Sequence, residues 1–174
     1  MWWVWALTFL ILIFGFVVFR GAPYVPSRKR HLTRAFKELY PLGSNDVLVD
    51  IGSGDGIVLR EAAKRGATAI GYELNPILVI ISRLLSRKQS LVRVHLADFW
   101  SVSLPAETTV VYVFGESRDI VKMARKVADE AARLQKPLAF ISYGFAVPGL
   151  TPVKTDGAYY LYQITSLQSG DASV

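Results

Sequence analysis

Apolar residues along this chain fall into three kinds of run. The first is a block of eighteen residues without a charge, Trp2 to Phe19, stopped by Arg20. The second kind is short, continuous and rich in β-branched residues: 47–51, 69–73, 91–97, 109–114 and 138–142. Such runs predict strands buried on both faces of a parallel sheet. The third kind repeats at helical spacing. Leu32, Ala35, Phe36 and Leu39 share one face of a predicted helix over 27–40, with Ser27 as its cap. Further helices are predicted over 57–65, closed by Gly66, from Pro76 to about Arg87, and over 116–134. Near the end, Lys154-Thr-Asp-Gly157 predicts a turn between a weak strand near Pro152 and a stronger one over 158–165.

This alternation predicts an α/β fold: a doubly wound, mostly parallel sheet with right-handed crossovers and an antiparallel edge. It divides the chain into an apolar segment (1–20), a linker and helix (21–45), a sheet domain (46–166) and a frayed polar tail (167–174). As a helix, the apolar segment is about 27 Å long, near the ~30 Å hydrocarbon core of a bilayer. Trp2, Trp3 and Trp5 suit an interfacial belt, and Arg20, Arg28, Lys29, Arg30 and Arg34 follow the run. The expectation is one N-terminal transmembrane helix that meets lipid through residues 2–19. The positive-inside rule puts the sheet domain on the cytoplasmic side, or the matrix side of an organelle. A cleaved signal peptide is the competing reading. It lacks a basic region before the apolar run and a clear small-x-small cleavage site.

Composition narrows the chemistry. With 174 residues the chain makes one domain with a real core, and with no cysteine it has no disulfide, thiolate nucleophile or cysteine metal site. His31 and His95 do not make a metal cluster, so no metal is expected. The net charge of +6 is concentrated near the apolar segment, with no aromatic stacking motif on a strand, which argues against nucleic acid as a partner.

The most informative stretch is Val47-Leu-Val-Asp-Ile-Gly-Ser-Gly-Asp-Gly56, with Glu73 at the end of the next strand. A strand, a glycine turn and a helix start form a cradle for a nucleotide-like ligand. Asp50 and Asp55 flank the glycines and would repel a pyrophosphate; the spacing is also Gly-x-Gly-x-Gly, not Gly-x-Gly-x-x-Gly. Acids here suit a cationic ligand without phosphates, and S-adenosylmethionine, with its ammonium and sulfonium, fits. Glu73, about 20 residues beyond the turn, is placed to accept ribose hydroxyls. The bland alternative is an ordinary βα turn with a helix cap and a strand-end acid.

Asp50-Ile-Gly-Ser-Gly-Asp-Gly56, Gly71-Tyr-Glu-Leu-Asn-Pro76 and Ala97-Asp98-Phe-Trp100 resemble motifs of the class I S-adenosylmethionine-dependent methyltransferases. The order of apolar segment, Pro23-Tyr-Val-Pro26, these motifs and Val113-Phe-Gly115 resembles the small membrane-anchored protein-lysine methyltransferases, a group that includes enzymes acting on the ATP synthase c-subunit and the adenine nucleotide translocase. The resemblance implies a Rossmann-like methyltransferase sheet and S-adenosylmethionine as cofactor. It places Asp50, Gly52, Ser53, Gly54, Asp55 and Gly56 against the methionine part, and Glu73, Leu74 and Asn75 against the ribose and adenosine. Asp98 would meet the adenine amino group, Phe99 or Trp100 and Phe114 would lie near the cofactor, and Tyr24, Val25 and Pro26 would close over it.

The implied acceptor is a lysine of a membrane protein. Glu116 is the candidate catalytic residue, orienting that amine and taking its proton through water. Tyr143 and Phe145, after the fifth strand, either line an acceptor channel or pack under the closing hairpin. Two departures matter. Ile57 stands where the related pattern has arginine. The exit of the fourth strand reads Val-Phe-Gly-Glu116, without the Asp/Asn-Pro-Pro-Tyr/Phe motif of enzymes that methylate nucleobase amines. A lipid or quinone headgroup methyltransferase and a non-catalytic cofactor-binding module remain as alternatives.

Overall fold

The computed structural model describes residues 1–9, 29–114 and 119–165. Five strands run parallel: β1 (Val47–Ile51), β2 (Thr68–Glu73), β3 (Val92–Leu96), β4 (Val110–Phe114) and β5 (Leu138–Tyr143). Two more, β6 (Lys154–Asp156) and β7 (Tyr159–Ile164), add antiparallel beyond β5. The order across the seven-stranded sheet is β3-β2-β1-β4-β5-β7-β6. The chain starts in the middle, winds out to β3 and returns to β4, so β1 and β4 meet at the point where the winding reverses. Ligands of open α/β sheets bind at the carboxyl ends of the strands at such a point.

Position in the sheet explains the sequence pattern. Central β4 has Val110, Val111, Tyr112 and Val113 all at 1% exposure or less, because helices or loops cover both its faces. Edge strand β3 alternates instead: Val94 is buried while Arg93 and His95 are exposed. The helices are α1 (Lys29–Arg34), α2 (Ile57–Ala63), α3 (Pro76–Ser86) and α4 (Ile120–Leu134). One face of the sheet packs Leu48, Tyr112 and Ile141 against Leu32 of α1, Phe36 and Leu39 just after it, Leu59 of α2 and Val79 of α3. The other face packs Val49, Val111 and Phe140 against Ile120, Val127 and Ala131 of α4. Between β3 and β4 there is only a 3₁₀ turn, Phe99–Ser101. Among the described residues, α4 is therefore the only α-helix on that second face.

Two buried carboxylates fasten helices to their surroundings. Glu61 of α2 meets Lys64 at 2.6 Å and Arg65 at 3.8 Å, and accepts from Thr33 of α1 at 3.4 Å. Glu130 of α4 accepts from Arg133 at 2.6 Å and from the Leu104 amide at 3.0 Å, and pairs with Lys126 at 3.2 Å. Arg133 also donates to the Leu104 carbonyl, so α4 is clamped to the segment that leads into β4. Burial works against the Glu130 anion, but the bonds from Arg133, Leu104 and Lys126 hold its carboxyl below the usual range.

The structure modifies several expectations. The helix predicted over 27–40 is α-helical over Lys29–Arg34 and then widens to a π-helical turn, Ala35–Leu39, with Tyr40 N–H donating to the Ala35 carbonyl at 3.0 Å. Tyr40 is tied down by its hydroxyl, which donates to Asp46 at 2.9 Å; burial and that bond push its phenol up to about 12. The four residues expected on one face of this helix, Leu32, Ala35, Phe36 and Leu39, pack into the main core. The predicted turn at 154–157 is instead β6 followed by a two-residue turn, because Gly157 alone takes the positive φ, +59°, that a hairpin needs. The weak strand expected near Pro152 forms two residues later, as β6, with Pro152 itself outside it.

The predicted transmembrane span lies largely outside the described residues: 2–9 are helical, and 10–28 are not described. Among the described residues no helix is long and apolar enough to cross a membrane. Residues 166–174, most of them the predicted tail, are also outside.

The Glu130 clamp makes a prediction. Glu130→Ala strips the Leu104 amide of its acceptor and should lower stability by about 3 kcal/mol, read by thermal or urea denaturation. Because its folded pKa is depressed, the ion pair's contribution is present above the unfolded carboxylate value of about 4.3 and is lost as pH falls through the folded value. The stability gap between wild type and Glu130→Gln should therefore narrow on acidification below about pH 4.

Candidate functional site

The carboxyl end of β1 turns into α2 through Gly52-Ser-Gly-Asp-Gly56, and the backbone of β2 holds this turn down. The Gly52 and Ser53 amides both donate to the Tyr72 carbonyl, at 2.9 and 3.1 Å. Gly52, Gly54 and Gly56 all have positive φ. At Gly56 a second constraint applies, since a Cβ there would lie 2.1 Å from Ser82 Oγ of α3. Gly71 of β2 serves the same close packing from below: a Cβ on it would meet Ser53 Oγ at 2.5 Å and Leu59 Cδ1 at 2.6 Å. Glycine is required at both places, at one by backbone angle and space together and at the other by space alone.

Glu73 ends β2 directly beside the turn. One carboxylate oxygen accepts from the Gly54 amide at 2.8 Å and the other accepts from the Asn75 amide at 2.8 Å. A single buried side chain therefore fixes the β1–α2 and β2–α3 loops relative to each other. Asn75 then caps α3, its side chain accepting from the Ile77 amide at 2.9 Å. Leu74 lies between them, half-buried.

Asp50, one residue before the end of β1, is 2% exposed, and its Oδ2 has no hydrogen-bond partner among the described residues. Burial first, and then the charges of Glu73 and Asp55, push its carboxyl well above the ordinary range. Asp55 is more open and caps the start of α2 through the Ile57 amide at 3.0 Å. Its partner is Arg60, which donates to the Asp55 carbonyl and approaches its carboxylate at 3.4 Å. The sequence pattern shows the missing arginine at position 57 but does not single out Arg60. The signal is nonetheless present: a residue three positions on lies over the preceding turn of the same helix, so a long side chain at 60 reaches back to 55.

The remaining predicted residues divide. Asp98 is exposed in the turn after β3, and its side chain accepts from the Trp100 amide at 3.0 Å. The Ala97 amide donates to the Glu73 carbonyl at 3.1 Å, so this turn sits beside the end of β2. Phe99 is 5% exposed and packs between Tyr72 and Trp100, at ring distances of 6.5 and 5.8 Å. Phe114, half-buried at the end of β4, stacks on Tyr143 at 4.9 Å, and Tyr143 on Tyr159 at 4.5 Å. Phe145 is exposed. The structure thus brings Asp50, Gly52, Ser53, Gly54, Asp55, Gly56, Glu73, Leu74 and Asn75 together at one edge, with Asp98 beside them and an aromatic group at the ends of β4 and β5. Tyr24, Val25, Pro26 and Glu116 lie outside the described residues. No cluster able to hold a metal occurs among the described residues. A separate groove lined by Phe36, Pro41, Leu42 and Arg65 opens at the amino edge of the sheet, away from this cradle.

Comparison with known proteins identifies the family and the fold. The ANTKMT methyltransferase domain matches over residues 50–154. The chain is 33% identical over 138 residues to the human (Homo sapiens) lysine N-methyltransferase of the ATP synthase c-subunit, covering 78% of this chain and 57% of that protein. It is 38% identical over 86 residues to the adenine nucleotide translocase lysine N-methyltransferase of Mus musculus, covering 47% and 37%. The chain spans about half the length of the curated relatives it matches. Among solved structures, an RNA methyltransferase from Salinibacter ruber in complex with S-adenosyl-L-homocysteine matches with a TM-score of 0.73 and 26% identity, over 81% of this chain and 94% of that one. The seven-stranded sheet is the Rossmann-like methyltransferase fold.

The buried Asp50 carboxyl, with its unpartnered Oδ2, has a measurable consequence for stability. A folded pKa raised above the unfolded value, about 3.9, means stability is lost as pH rises from that value through the folded one. The isosteric Asp50→Asn change removes the penalty. Its melting temperature should exceed that of wild type at neutral pH by a few degrees, given roughly 2–4 °C per kcal/mol for a chain of this size. The difference should vanish as pH falls toward the unfolded value, which a pH series of thermal melts would read.

Proposed function

The chain belongs to the ANTKMT methyltransferase domain family, and from that premise we propose that it is an S-adenosylmethionine-dependent methyltransferase acting on a lysine side chain of a membrane protein. The observation that carries the reading is the acid-lined glycine turn. Asp50, Asp55 and Glu73 converge there, Asp50 Oδ2 has no partner, and Arg60 is the one cation in contact with these acids among the described residues. A site of this kind fits a ligand with positive charge at one end and hydroxyls at the other, and disfavours phosphates. Bound there, S-adenosylmethionine supplies an electrophilic methyl carbon with its leaving group already attached. The lysine reading is supported by the names of the human and mouse relatives.

On this reading each residue has a task. Asp50 and the turn from Gly52 to Gly56 hold the methionine end. Glu73 keeps a second lone pair on each oxygen beyond its two amide bonds, enough to accept ribose hydroxyls. Leu74 and Asn75 flank the adenosine, and Asp98 and Phe99 border the adenine. Tyr24, Val25 and Pro26 close the site from the linker side.

The acceptor amine has an ordinary pKa near 10.4 and must attack as the neutral base. Desolvation between Phe114, Tyr143 and Phe145 lowers that pKa. Glu116 follows β4 by two residues, and its task is to orient the amine and take its proton through water. Residues 2–19 anchor the protein in a bilayer with the sheet domain on the cytoplasmic or matrix side. This confinement raises the effective concentration of membrane targets. One observation favours a second reading, methylation of RNA: the likeness to the RNA methyltransferase.

Transfer of radiolabelled methyl from S-adenosylmethionine to membranes that lack this protein separates the readings. Label in a discrete protein band, mapped to lysine by mass spectrometry, is the expected result. Label removed by nuclease would replace it with RNA methylation, and label extracted by organic solvent with a lipid or quinone headgroup. Asp50→Ala should weaken cofactor binding about tenfold or more, the equivalent of about 1.4 kcal/mol. Glu116→Gln should lower kcat while cofactor affinity holds; an unchanged kcat would remove Glu116 from the mechanism.

A further inference from the structure

Helix α3 is amphipathic in the wrong direction for a helix lying on a sheet. Its buried side is narrow and partly polar: Val79, Ser82 and Ser86. Its solvent side carries Ile77, Ile80, Ile81, Leu84 and Leu85, at 43, 65, 38, 58 and 53% exposure. The spacing i, i+3, i+4, i+7, i+8 makes these five one continuous stripe. Nine large apolar side chains are exposed among the described residues beyond the first nine, and five of them are here. Leu96, 54% exposed, lies on the side of β3 that α3 covers, since it shares the strand's period of two with buried Val94.

Isolated exposed leucines are normal on a protein surface, but a stripe of this length marks a contact. The inward serines have a local cause, because Gly56 packs against Ser82. No packing requirement of that kind places Ile or Leu at the five outward positions.

The charges around the stripe select its partner. From Leu74 to Ala97 the chain has Arg83, Arg87, Lys88 and Arg93 and no acidic residue. Arg83 spends its guanidinium on the Val94 carbonyl, at 2.7 Å, which locks α3 to β3. Arg87, Lys88 and Arg93 are exposed. Arg87, the αR C-cap of α3, borders the stripe beside Ile80 and Leu84, and Lys88 follows it in the turn just past the helix end. An apolar stripe edged by cations without anions is the pattern of a helix lying in the interface of an anionic bilayer.

We propose that the outward face of α3 is a membrane-docking surface, resting on an anionic lipid bilayer with Ile80, Ile81, Leu84 and Leu85 among the acyl chains and Arg87, Lys88 and Arg93 at the headgroups. This contact is separate from the anchor at residues 2–19 and does not depend on which acceptor is methylated. It has a geometric result. The cap of α3, Asn75, is hydrogen-bonded to Glu73, so docking along α3 holds the carboxyl edge of the sheet and its cradle at the depth of the interface.

The test uses the absence of native cysteine. The full chain with Ile80→Cys, labelled with an environment-sensitive fluorophore, is reconstituted in vesicles of phosphatidylcholine with or without a quarter of phosphatidylglycerol, each with brominated acyl chains as quencher. Ala132→Cys, exposed on α4 across the sheet, is the control. The expected result is a blue shift and loss of most emission at position 80 in the anionic vesicles. That loss should be smaller in phosphatidylcholine alone, smaller again in the double variant R87Q/K88Q and absent at position 132. Emission at position 80 that brominated lipid leaves unchanged in anionic vesicles overturns the proposal. So does shielding of position 80 without lipid, whether it rises with protein concentration, as a second copy would cause, or stays constant, as the chain's own apolar segment would.

Discussion

Asp50 and Glu73 lie at the carboxyl ends of neighbouring parallel strands, Asp50 one residue short of the end of its own, and both acids are buried. Burying an ion costs several kcal/mol unless hydrogen bonds or an opposite charge compensate. Glu73 meets that cost with two backbone amides, one from each adjoining loop. Asp50 does not, and remains with a free oxygen and two like charges nearby. The tight glycine turn, the Gly71 opening beneath it and the cap of α3 all follow from bringing amides to Glu73. The deficit at Asp50 makes the edge selective, because a cation relieves it and an anion deepens it. One pair of acids therefore sets both the geometry of the loops and the sign of the ligand.

Much of this is legible in the sequence. The continuous apolar runs mark central strands because residues buried on both faces leave no polar position to show a period. The glycine turn and Glu73 can be placed beside each other because parallel strands in a doubly wound sheet bring successive loops to one edge. What the sequence does not disclose depends on contacts between distant positions. The widening of the first helix at Ala35 comes from Tyr40 reaching Asp46, a bond invisible to helical periodicity. The hairpin shift by two residues follows from Gly157, the only glycine available there, taking the turn itself. Arg60 escapes a motif that is matched position by position, since a guanidinium matters only by where it ends. Phe99, expected beside the adenine, is also a core residue against Tyr72.

The two faces of the sheet are unequally covered. α1, α2 and α3 share one face, while α4 works alone on the other among the described residues. Its hold depends on Val127 and Ala131 in the core and on the Glu130 clamp to Leu104. The connection from β3 to β4 carries only a short 3₁₀ turn, and that from β5 to β6 carries no helix.

The strand order also decides how copies of this protein tolerate one another. A sheet with free edges is a template for further strands, and its two ends here are β3 and β6. β3 presents Arg93 and His95 on its open side, and β6 is three residues long, with Asp156 engaged by Arg34 at 2.9 Å. Both ends are poor partners for main-chain pairing between molecules. Growth into fibres by edge addition is thus blocked at each terminus of the sheet. Beyond the first nine residues, five of the nine exposed large apolar side chains among the described residues lie on α3, so self-association there would run through side chains, amorphously and with the sheet intact.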